Sequence, residues 1–305
     1  GCEMKAQRRN VEGAAGAAAL RFGIRLMSKK TPEEAEKFGI RLGRVLYAVA
    51  KKRRKTCLSN LQLAFPEMPE PERVDLARRV FEHYGIVTAD FLRAEKRTDQ
   101  EILDSIEVEG FEKLATALAK GKGALMITGH LGNWERAAAW VALQGYELLV
   151  VARAVRHAEL NQLINSLRAR QGTSVVERGQ AARPIIEALR KNGVVAILPD
   201  QNTDPDIDGI FVPFFGKPAG TVLGPGVIAE RTGADAISVV CVRTGPCRYK
   251  IIVGDVLVPE PGYERKGEGM IRAVNAALEK VIREYPEQWL WFHDRWKSAR
   301  QHGLI

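Results

Sequence analysis

Cysteine is scarce in this chain, and the few cysteines exclude the common cysteine-based architectures. The 305 residues contain four of them, at positions 2, 57, 241 and 247. The sequence holds no CxxC pair, and no histidine stands at zinc-site spacing from a cysteine, so neither a structural zinc site nor a redox motif is expected. We expect free thiols in a reducing compartment, with a disulfide between Cys241 and Cys247 as the alternative.

Long apolar runs are absent as well. The nearest example is the segment 11–27, but Glu12, Arg21 and Arg25 interrupt it, and its uncharged apolar part covers only residues 14–20. A membrane-spanning helix needs about 20 apolar residues, so we expect none here, and the segment also lacks the pattern of a signal peptide. It is either a membrane-associating helix that lies in the interface or an ordinary packing helix, and the sequence leaves both open.

Acidic residues are outnumbered by basic ones. The net charge is +9, which suits nucleic acid, an anionic membrane surface or an acidic carrier protein as a partner. No recognised nucleic-acid-binding motif is present, so we expect no nucleic acid. The densest basic run is Lys51-Lys52-Arg53-Arg54-Lys55, which is either a solvated helix end or a contact for anionic lipid.

The pattern of apolar residues predicts the fold class. Residues 11–96 have helical periodicity, with a helix start at Thr31-Pro32 and the basic run 51–55 closing that helix. From about residue 105, short apolar strands alternate with helices, which predicts an α/β fold with a mainly parallel central sheet flanked by helices. The expected strands are 124–128, 147–152, 174–177, 194–198, 236–243 and 248–255, and the expected helices are 132–144, 158–169, 181–191, 221–232 and 265–284. We therefore expect a helical N-terminal layer over 1–104 and an α/β core over 105–305, in one continuous domain.

The stretch TGHLGNWERA, residues 128–137, joins a predicted strand to a predicted helix. His130 falls in the turn, Asn133 is a good N-cap, and Glu135 falls in the first helical turn. A carboxylate at that position can reach back to the imidazole, fix its tautomer and prepare it to take a proton. The alternative is a structural histidine followed by a helix-start glutamate, because the HxxxxE spacing alone is a loose pattern.

Several further motifs stand in order along the chain. They are Asn-Leu-x-x-Ala-Phe-Pro-Glu at 60–67, Pro-Asp-Gln at 199–201, Val-Pro-Phe-Phe-Gly at 212–216, Tyr-Pro-x-Gln-Trp-Leu-Trp at 285–291 and Arg-Trp-Lys at 295–297. Together with Gly-His-Leu-Gly-Asn-Trp-Glu at 129–135, they resemble the late acyltransferases of lipid A biosynthesis, and the resemblance covers about residues 35–297.

That resemblance implies an α/β acyltransferase fold and an HxxxxE dyad, with His130 as the general base and Glu135 as its orienting partner. It implies transfer of a fatty acyl group from acyl carrier protein to a hydroxyl of a glycolipid precursor, at the cytoplasmic face of the bacterial inner membrane. Many members begin with a hydrophobic membrane anchor, whereas the segment 11–27 is interrupted by charges, so we expect peripheral attachment. No cofactor and no metal ion are expected.

Further polar residues follow the predicted strands and are candidates for substrate binding. Parallel strands collect ligand sites at their carboxyl ends, so we expect Arg153 and Asp200 near His130, with Asn133 beside it. Arg168 and Arg170, at the end of the predicted helix 158–169, are further candidates, and the resemblance favours Arg153 and one of these two as substrate-binding positions. The guanidinium groups suit a phosphorylated acceptor, and a solvated surface charge is the alternative for each arginine. For Asp200 the alternative is a turn-forming residue.

Two aromatic segments have open interpretations. The apolar segment 211–215 lines an acyl-chain groove or belongs to the core, and Trp289, Trp291 and Trp296 form a membrane belt or core. The sequence Asp204-x-Asp206-x-Asp208-Gly209 opens like a calcium-binding loop, but its twelfth position is Phe215 where glutamate is required, so we expect an acidic loop without calcium.

The residue chemistry predicts direct acyl transfer. The chain has no Gly-x-Ser-x-Gly elbow, and no cysteine lies beside His130 in sequence, so a covalent acyl-enzyme is not indicated. Three alternatives stay open at this point. They are an acyltransferase for another glycolipid, of the phosphoinositol mannoside type with acyl-CoA as donor; a non-catalytic basic protein that binds anionic lipid or nucleic acid; and a thioesterase that activates water.

Overall fold

Five helices precede the first strand in the computed structural model, which describes residues 2–153, 155 and 157–305, with side chains from residue 13 onward. They are α1 (Cys2–Met27), α2 (Pro32–Val49), α3 (Lys51–Ala64), α4 (Glu70–Leu92) and α5 (Asp99–Ser105). Among the described residues, no helix combines the length and apolar character needed to cross a bilayer. Within α1, Ile24 and Met27 are buried in a cluster with Leu92 of α4 and with Leu167, so this part of the segment 11–27 is a packing helix.

The start of α2 confirms the predicted capping signal, but its end differs from the prediction. Thr31 accepts a hydrogen bond from the Glu34 backbone at 3.2 Å, and the Glu34 carboxylate accepts one from the Thr31 backbone at 3.0 Å, which is a capping box. The helix ends at Val49 because Ala50 leaves the helical conformation with ψ 61°. The basic run 51–55 therefore opens α3 and does not close α2.

Helices α2 and α4 approach each other closely through glycine. A Cβ atom on Gly85 of α4 would lie 1.9 Å from the carbonyl oxygen of Gly39, and one on Gly43 would lie 2.3 Å from the carbonyl oxygen of Phe81. A larger side chain at either position would push the two backbones apart. This contact holds α2 and α4 together within the N-terminal layer.

The central sheet confirms the predicted fold class. Its strands are β1 (Ile106–Glu109), β2 (Ala124–Ile127), β3 (Leu148–Ala152), β4 (Thr173–Glu177), β5 (Val194–Ile197), β8 (Asp235–Gly245) and β9 (Arg248–Val256). Their spatial order is β1-β9-β8-β2-β5-β3-β4. The neighbours from β8 to β4 are all parallel, and β9 joins β8 as an antiparallel hairpin.

Helices cover the sheet and complete the core. They are α6 (Phe111–Leu118), α7 (Trp134–Leu143), α8 (Ala158–Ala169), α9 (Ala182–Arg190), α10 (Gly224–Thr232), α11 (Glu268–Glu284) and α12 (Lys297–Gln301). The sequence pattern missed β1 and α6. It also missed a separate antiparallel hairpin, β6 (Gly209–Phe214) with β7 (Lys217–Val222), because Pro213 and Gly220 interrupt its apolar pattern.

The C-terminal aromatic residues are core residues. Trp289, Trp291 and Trp296 are at most 1 % exposed, and Phe214 and Phe215 are 1 % and 5 % exposed in the same cluster. This burial decides two of the open alternatives. The tryptophans do not form a membrane belt, and the two phenylalanines do not line an acyl groove. Cys57, Cys241 and Cys247 are free thiols.

Candidate active site

The site begins where β2 and β5 end. These strands are parallel neighbours with Ile127 opposite Ile197, so the chain leaves both at the same edge of the sheet. His130 follows β2, and Asp200 follows β5. A Cβ atom on Gly129 would lie 3.0 Å from an Asp200 carboxylate oxygen, so glycine at that position lets the aspartate come close to the loop.

His130 and Asp200 form a hydrogen-bonded pair. The Nδ1 atom of His130 lies 2.9 Å from Oδ1 of Asp200, and the His130 backbone amide donates to Oδ2 at 2.7 Å. An ionised carboxylate only accepts hydrogen bonds, so the neutral ring carries its proton on Nδ1 and leaves Nε2 unprotonated. The His130 side chain is 23 % exposed whereas Asp200 is 1 % exposed, so the imidazole reaches solvent and its partner does not.

The surroundings of Asp200 keep it ionised despite its burial. Burial alone would raise the pKa of this carboxyl, but the charge of His130 and hydrogen bonds from His130 and Trp289 outweigh burial and lower the pKa to about 2. The Trp289 indole donates to Oδ2 at 2.9 Å. The carboxylate is thus a fixed negative charge behind the imidazole.

The prediction that Glu135 contacts the imidazole is wrong. The Glu135 carboxylate accepts hydrogen bonds from Arg168 of α8 at 2.6 to 3.2 Å and one from the Trp134 indole at 3.2 Å. Glu135 stands in the first turn of α7, as expected, but its side chain turns toward α8. The carboxylate that orients the imidazole instead comes from Asp200, at the end of a neighbouring strand.

The loop from His130 to Asn133 is held by several long-range contacts. The Tyr84 hydroxyl donates to the His130 carbonyl, and His83 donates from Nε2 to the Gly132 carbonyl at 3.1 Å. Gly132 has φ 60°, and a Cβ atom there would lie 1.9 Å from the carbonyl oxygen of Cys241. Only glycine fits this left-handed and crowded position.

Asn133 supports the loop from inside the protein. Its side chain accepts from the Arg136 backbone at 3.1 Å as the N-cap of α7, and it donates to Asp90 at 2.7 Å. The residue is 1 % exposed. The prediction of Asn133 as a substrate-binding residue is therefore corrected: both ends of its amide are engaged in the scaffold.

A buried cluster of charges surrounds Asp90. Arg136 donates two hydrogen bonds to this carboxylate at 2.7 and 3.1 Å, and Arg97 donates one at 2.7 Å. Burial acts to raise the pKa of Asp90, but the two guanidinium groups and their hydrogen bonds hold it far below its usual value. The cluster anchors α7, and with it the active-site loop, to α4.

The remaining arginine candidates separate into two groups. Arg153 and Arg168 line the cavity beside His130, together with Arg178, whose guanidinium pairs with Asp208 at 2.7 Å. Arg170 lies elsewhere, because its side chain is 61 % exposed and pairs with Glu95 at 3.1 Å. The placement of Arg170 beside the substrate is thus not supported.

The cavity next to His130 combines a polar and an apolar part. Its volume is about 430 Å³. The polar part includes His130, Glu135, Arg168 and Gln201. The apolar part is lined by Met126, Val150, Val151, Ile164, Ile185 and Ile228, among others. Such a cavity accepts a reacting polar group beside the imidazole and an aliphatic chain beyond it.

Sequence reasoning missed two residues at the imidazole. The Gln201 amide nitrogen lies 3.5 Å from His130 Nε2, and the Trp134 ring lies 5.1 Å from the imidazole ring in an edge-on arrangement. Both residues belong to motifs quoted above, so membership of those motifs is the sequence signal that could have identified them. The chemistry of a glutamine or tryptophan alone gives no reason to select it.

One group of metal-ligand side chains occurs in the described part of the chain. Asp204, Asp206 and His302 place their ligand atoms within 4.8 Å of one another at the surface. Exposed carboxylates of this kind are common without an ion, and no buried donor is aimed at the group. We assign no metal to it.

Comparison with known proteins gives consistent results. A family model described as bacterial lipid A biosynthesis acyltransferase matches residues 10–298. The lipid A biosynthesis lauroyltransferase of Escherichia coli K12 is 30 % identical over 276 residues, covering 88 % of this chain and 86 % of the relative. The palmitoleoyltransferase of the same strain is 26 % identical over 263 residues, covering 85 % and 84 %. A phosphatidylinositol mannoside acyltransferase of Mycobacterium tuberculosis is 28 % identical over 166 residues, covering 52 % of each chain.

Proposed function

The chain belongs to the bacterial lipid A biosynthesis acyltransferase family, and from this premise we propose that it transfers a fatty acyl group from acyl carrier protein to a hydroxyl of a lipid A precursor. The observation that carries the proposal is the pair of His130 and Asp200 within the cavity. The family supplies the reaction class, and the hydrogen-bonded pair supports the proposal of His130 as the base.

His130 is the proposed general base. Asp200 holds the proton on Nδ1, so the lone pair of Nε2 is free to take the proton of an acceptor hydroxyl. The oxygen then attacks the thioester carbonyl of the donor and forms a tetrahedral oxyanion. When the oxyanion collapses, the new ester forms, the carbon–sulfur bond breaks, and the imidazolium returns its proton to the leaving thiolate.

The oxyanion needs hydrogen-bond donors, and the backbone of the loop has few to offer. The amides of His130, Gly132 and Asn133 already donate to Asp200, to the Gln288 carbonyl and to the Cys241 carbonyl. Side chains are therefore the better source of donors. Gln201 lies nearest to Nε2, and we propose its amide nitrogen as a donor to the oxyanion.

Glu135 acts through Arg168 in this proposal. The carboxylate holds the guanidinium at the cavity wall with bonds to both of its oxygens, so the positive charge keeps a fixed position near the reacting groups. Arg153, which lines the same cavity, supplies a second guanidinium. A phosphorylated sugar acceptor is the substrate class that two such groups suit.

The proposed location follows from the acceptor. A lipid A precursor carries fatty acyl chains and stays in a membrane, so the enzyme has to meet it at the membrane surface. We propose peripheral attachment at the cytoplasmic face of the bacterial inner membrane. The net charge of +9 supports attraction to anionic lipid.

Transfer of a radiolabelled acyl group tests the proposal. The wild type and the His130→Ala and Asp200→Asn variants are incubated with labelled acyl carrier protein and one acceptor at a time. The acceptors are a lipid A precursor and a phosphatidylinositol mannoside, because relatives acting on both classes by name match this chain. We expect labelled lipid A precursor with the wild type and at least a 100-fold lower rate with both variants.

Other outcomes identify the alternatives. Label in the mannoside alone would identify the mannoside, and not the lipid A precursor, as the acceptor. Transfer from acyl-CoA alone would identify acyl-CoA, and not acyl carrier protein, as the donor. Release of free fatty acid without any acceptor would indicate a thioesterase. An unchanged transfer rate in His130→Ala would disprove the role of this residue as the base.

A further inference from the structure

Three apolar side chains are exposed together at the end of α2. Val45, Leu46 and Val49 are 57 %, 40 % and 66 % exposed. Val45 and Val49 stand one helical turn apart and therefore share a face. Exposed apolar side chains are unremarkable singly, but a group of them beside a dense charge cluster marks a site of interaction.

The basic run follows immediately. Lys51, Lys52, Arg53 and Lys55 are exposed, and among the described residues no acidic side chain forms an ion pair with any of them. Arg54 differs, because it is half-buried and donates to the Tyr47 carbonyl at 2.9 Å, whereas Arg53 stays exposed while it donates to the Phe292 carbonyl at 3.4 Å. We call the three apolar residues and the four exposed cations the α2–α3 corner.

The position of this run is unfavourable for the helix that carries it. The cations occupy the first turns of α3, which has no side-chain cap and no acidic residue in its first turn. The N-terminal end of a helix carries partial positive charge, so basic residues there are destabilising. Helix stability does not explain the run, whereas an anionic partner does.

Tyr47, in the same helix as the apolar residues of the corner, connects to the candidate active site through a series of aromatic rings in edge-on and tilted contact. Tyr47 contacts Phe81 with ring centroids 5.5 Å apart, and Phe81 contacts Phe292 at 5.2 Å. Phe292 contacts Tyr84 at 4.8 Å, and the Tyr84 hydroxyl bonds to the His130 carbonyl. The end of α2 is therefore in continuous packing contact with the loop that carries His130.

We propose that the α2–α3 corner docks on an anionic lipid surface. Val45, Leu46 and Val49 enter the boundary between headgroups and acyl chains, and the four cations contact lipid phosphates. A second copy of this chain is a poor occupant, because the two basic runs would repel each other. The inference rests on the proposed membrane location and assigns it to a surface other than the segment 11–27.

Vesicle binding tests the corner without any need for activity. The full chain is sedimented with vesicles of phosphatidylcholine, with or without phosphatidylglycerol. Two variants remove parts of the corner, Val45→Ser/Val49→Ser and Lys51→Gln/Lys52→Gln. Two matched controls remove exposed groups elsewhere, Val258→Ser/Leu304→Ser and Arg190→Gln/Lys191→Gln. We expect the wild type and both controls to bind vesicles that contain phosphatidylglycerol.

The expected losses in vesicle binding follow from the electrostatic and the apolar contributions of the corner. The lysine variant should bind roughly 10- to 30-fold more weakly, since each cation near an anionic membrane contributes about a five-fold factor. The serine variant should also bind more weakly, and its deficit should persist at high salt because it removes apolar contact. Both variants should keep the wild-type rate when the acceptor is dispersed in detergent, and should lose rate when it is in vesicles.

The test separates failure of this inference from failure of the proposed function. His130→Ala should bind vesicles like the wild type even though it is inactive. Wild-type vesicle binding in both corner variants would overturn the inference while leaving the catalytic proposal intact. The inference would also be overturned by a corner variant that keeps full vesicle binding but binds acyl carrier protein more weakly or changes its oligomeric state.

Discussion

The carboxylate of Asp200 accepts hydrogen bonds from both the ring and the backbone of His130, although 70 positions separate the two residues in sequence. One oxygen holds Nδ1 and the other holds the backbone amide. The two contacts fix both the direction of the imidazole ring and its tautomer. Asp200 is thus the carboxylate that holds the imidazole in this structure.

Replacement of Asp200 by asparagine should remove most activity without unfolding the protein. Asparagine has a similar shape, but its amide can donate to Nδ1 and so favour the tautomer with the proton on Nε2. Loss of the correct tautomer in a comparable histidine–aspartate pair costs up to about 10⁴-fold in rate. We expect a fall of about 10²- to 10⁴-fold in kcat, with the KM for the acceptor changed only a few-fold.

Steady-state kinetics and circular dichroism check this prediction. The matched control is Asp75→Asn, which removes an exposed surface carboxylate that pairs with Arg79. It should keep activity within about two-fold, as expected for an exposed ion pair. An Asp200→Asn enzyme with near wild-type kcat would show that the contact with His130 is merely structural.

The ion pair of Glu135 and Arg168 should behave as one unit in catalysis. Glu135→Ala and Arg168→Ala each remove the same set of hydrogen bonds, so each single variant should lose about 10- to 100-fold in kcat/KM. The double variant should then lose little more than either single variant. A double-mutant cycle on kcat/KM measures this coupling.

The matched control for that cycle is a neighbouring ion pair. Glu95→Gln/Arg170→Gln removes an exposed pair from the same end of α8 and should change kcat/KM less than two-fold. The proposal would be contradicted if the two single variants' losses in kcat/KM, expressed as free energies, added in full in the double variant. Full additivity would mean that Glu135 and Arg168 act independently of each other.

Much of the site could be predicted from the sequence because its local parts are encoded locally. The Thr31 cap, the ends of the strands and the position of His130 in a turn all follow from short patterns of a few residues. The pairing of the imidazole does not, because it depends on strand order. The order of the strands does not follow from short patterns either: β5 lies between β2 and β3, although Arg153 and His130 line one cavity as expected.

Strand order also explains why Glu135 was assigned the wrong contact. The sequence places Glu135 close to His130 along the chain, and it also predicted Asp200 at the same edge of the sheet, but it gives no indication that the Asp200 carboxylate is the one that pairs with the imidazole. The prediction for Asn133 is limited for the same reason. Its capping role is local and was predicted, but its contact with Asp90 depends on the packing of α4 against α7.

The cluster around Asp90 should contribute strongly to stability. Asp90→Ala would leave the guanidinium groups of Arg97 and Arg136 buried without their main partner. Breaking a buried ion pair from one side typically costs about 3 to 5 kcal/mol. We expect a loss of that size in the free energy of unfolding, measured by urea denaturation, against less than about 1 kcal/mol for the exposed Asp75→Ala.

The buried histidines should make stability fall on the acid side of neutrality. Burial lowers the pKa of His83 to about 4, opposed by its hydrogen bond to Gly132, and burial likewise lowers the pKa of His293 to about 4. The unfolded chain titrates these groups near pH 6.5. Between those values the unfolded state binds more protons than the folded state, so stability rises with pH in that window and is lost as pH falls.

A single substitution isolates the contribution of His83. His83→Gln keeps a donor for the Gly132 carbonyl but removes the titrating group, so its free energy of unfolding should depend less steeply on pH. The linkage predicts that the wild type loses about 2 kcal/mol more than the variant between about pH 8 and pH 5. Urea denaturation at several pH values measures the difference, in which all other titrating groups cancel. Parallel curves for the two proteins would mean that His83 takes up its proton equally readily in the folded and unfolded states.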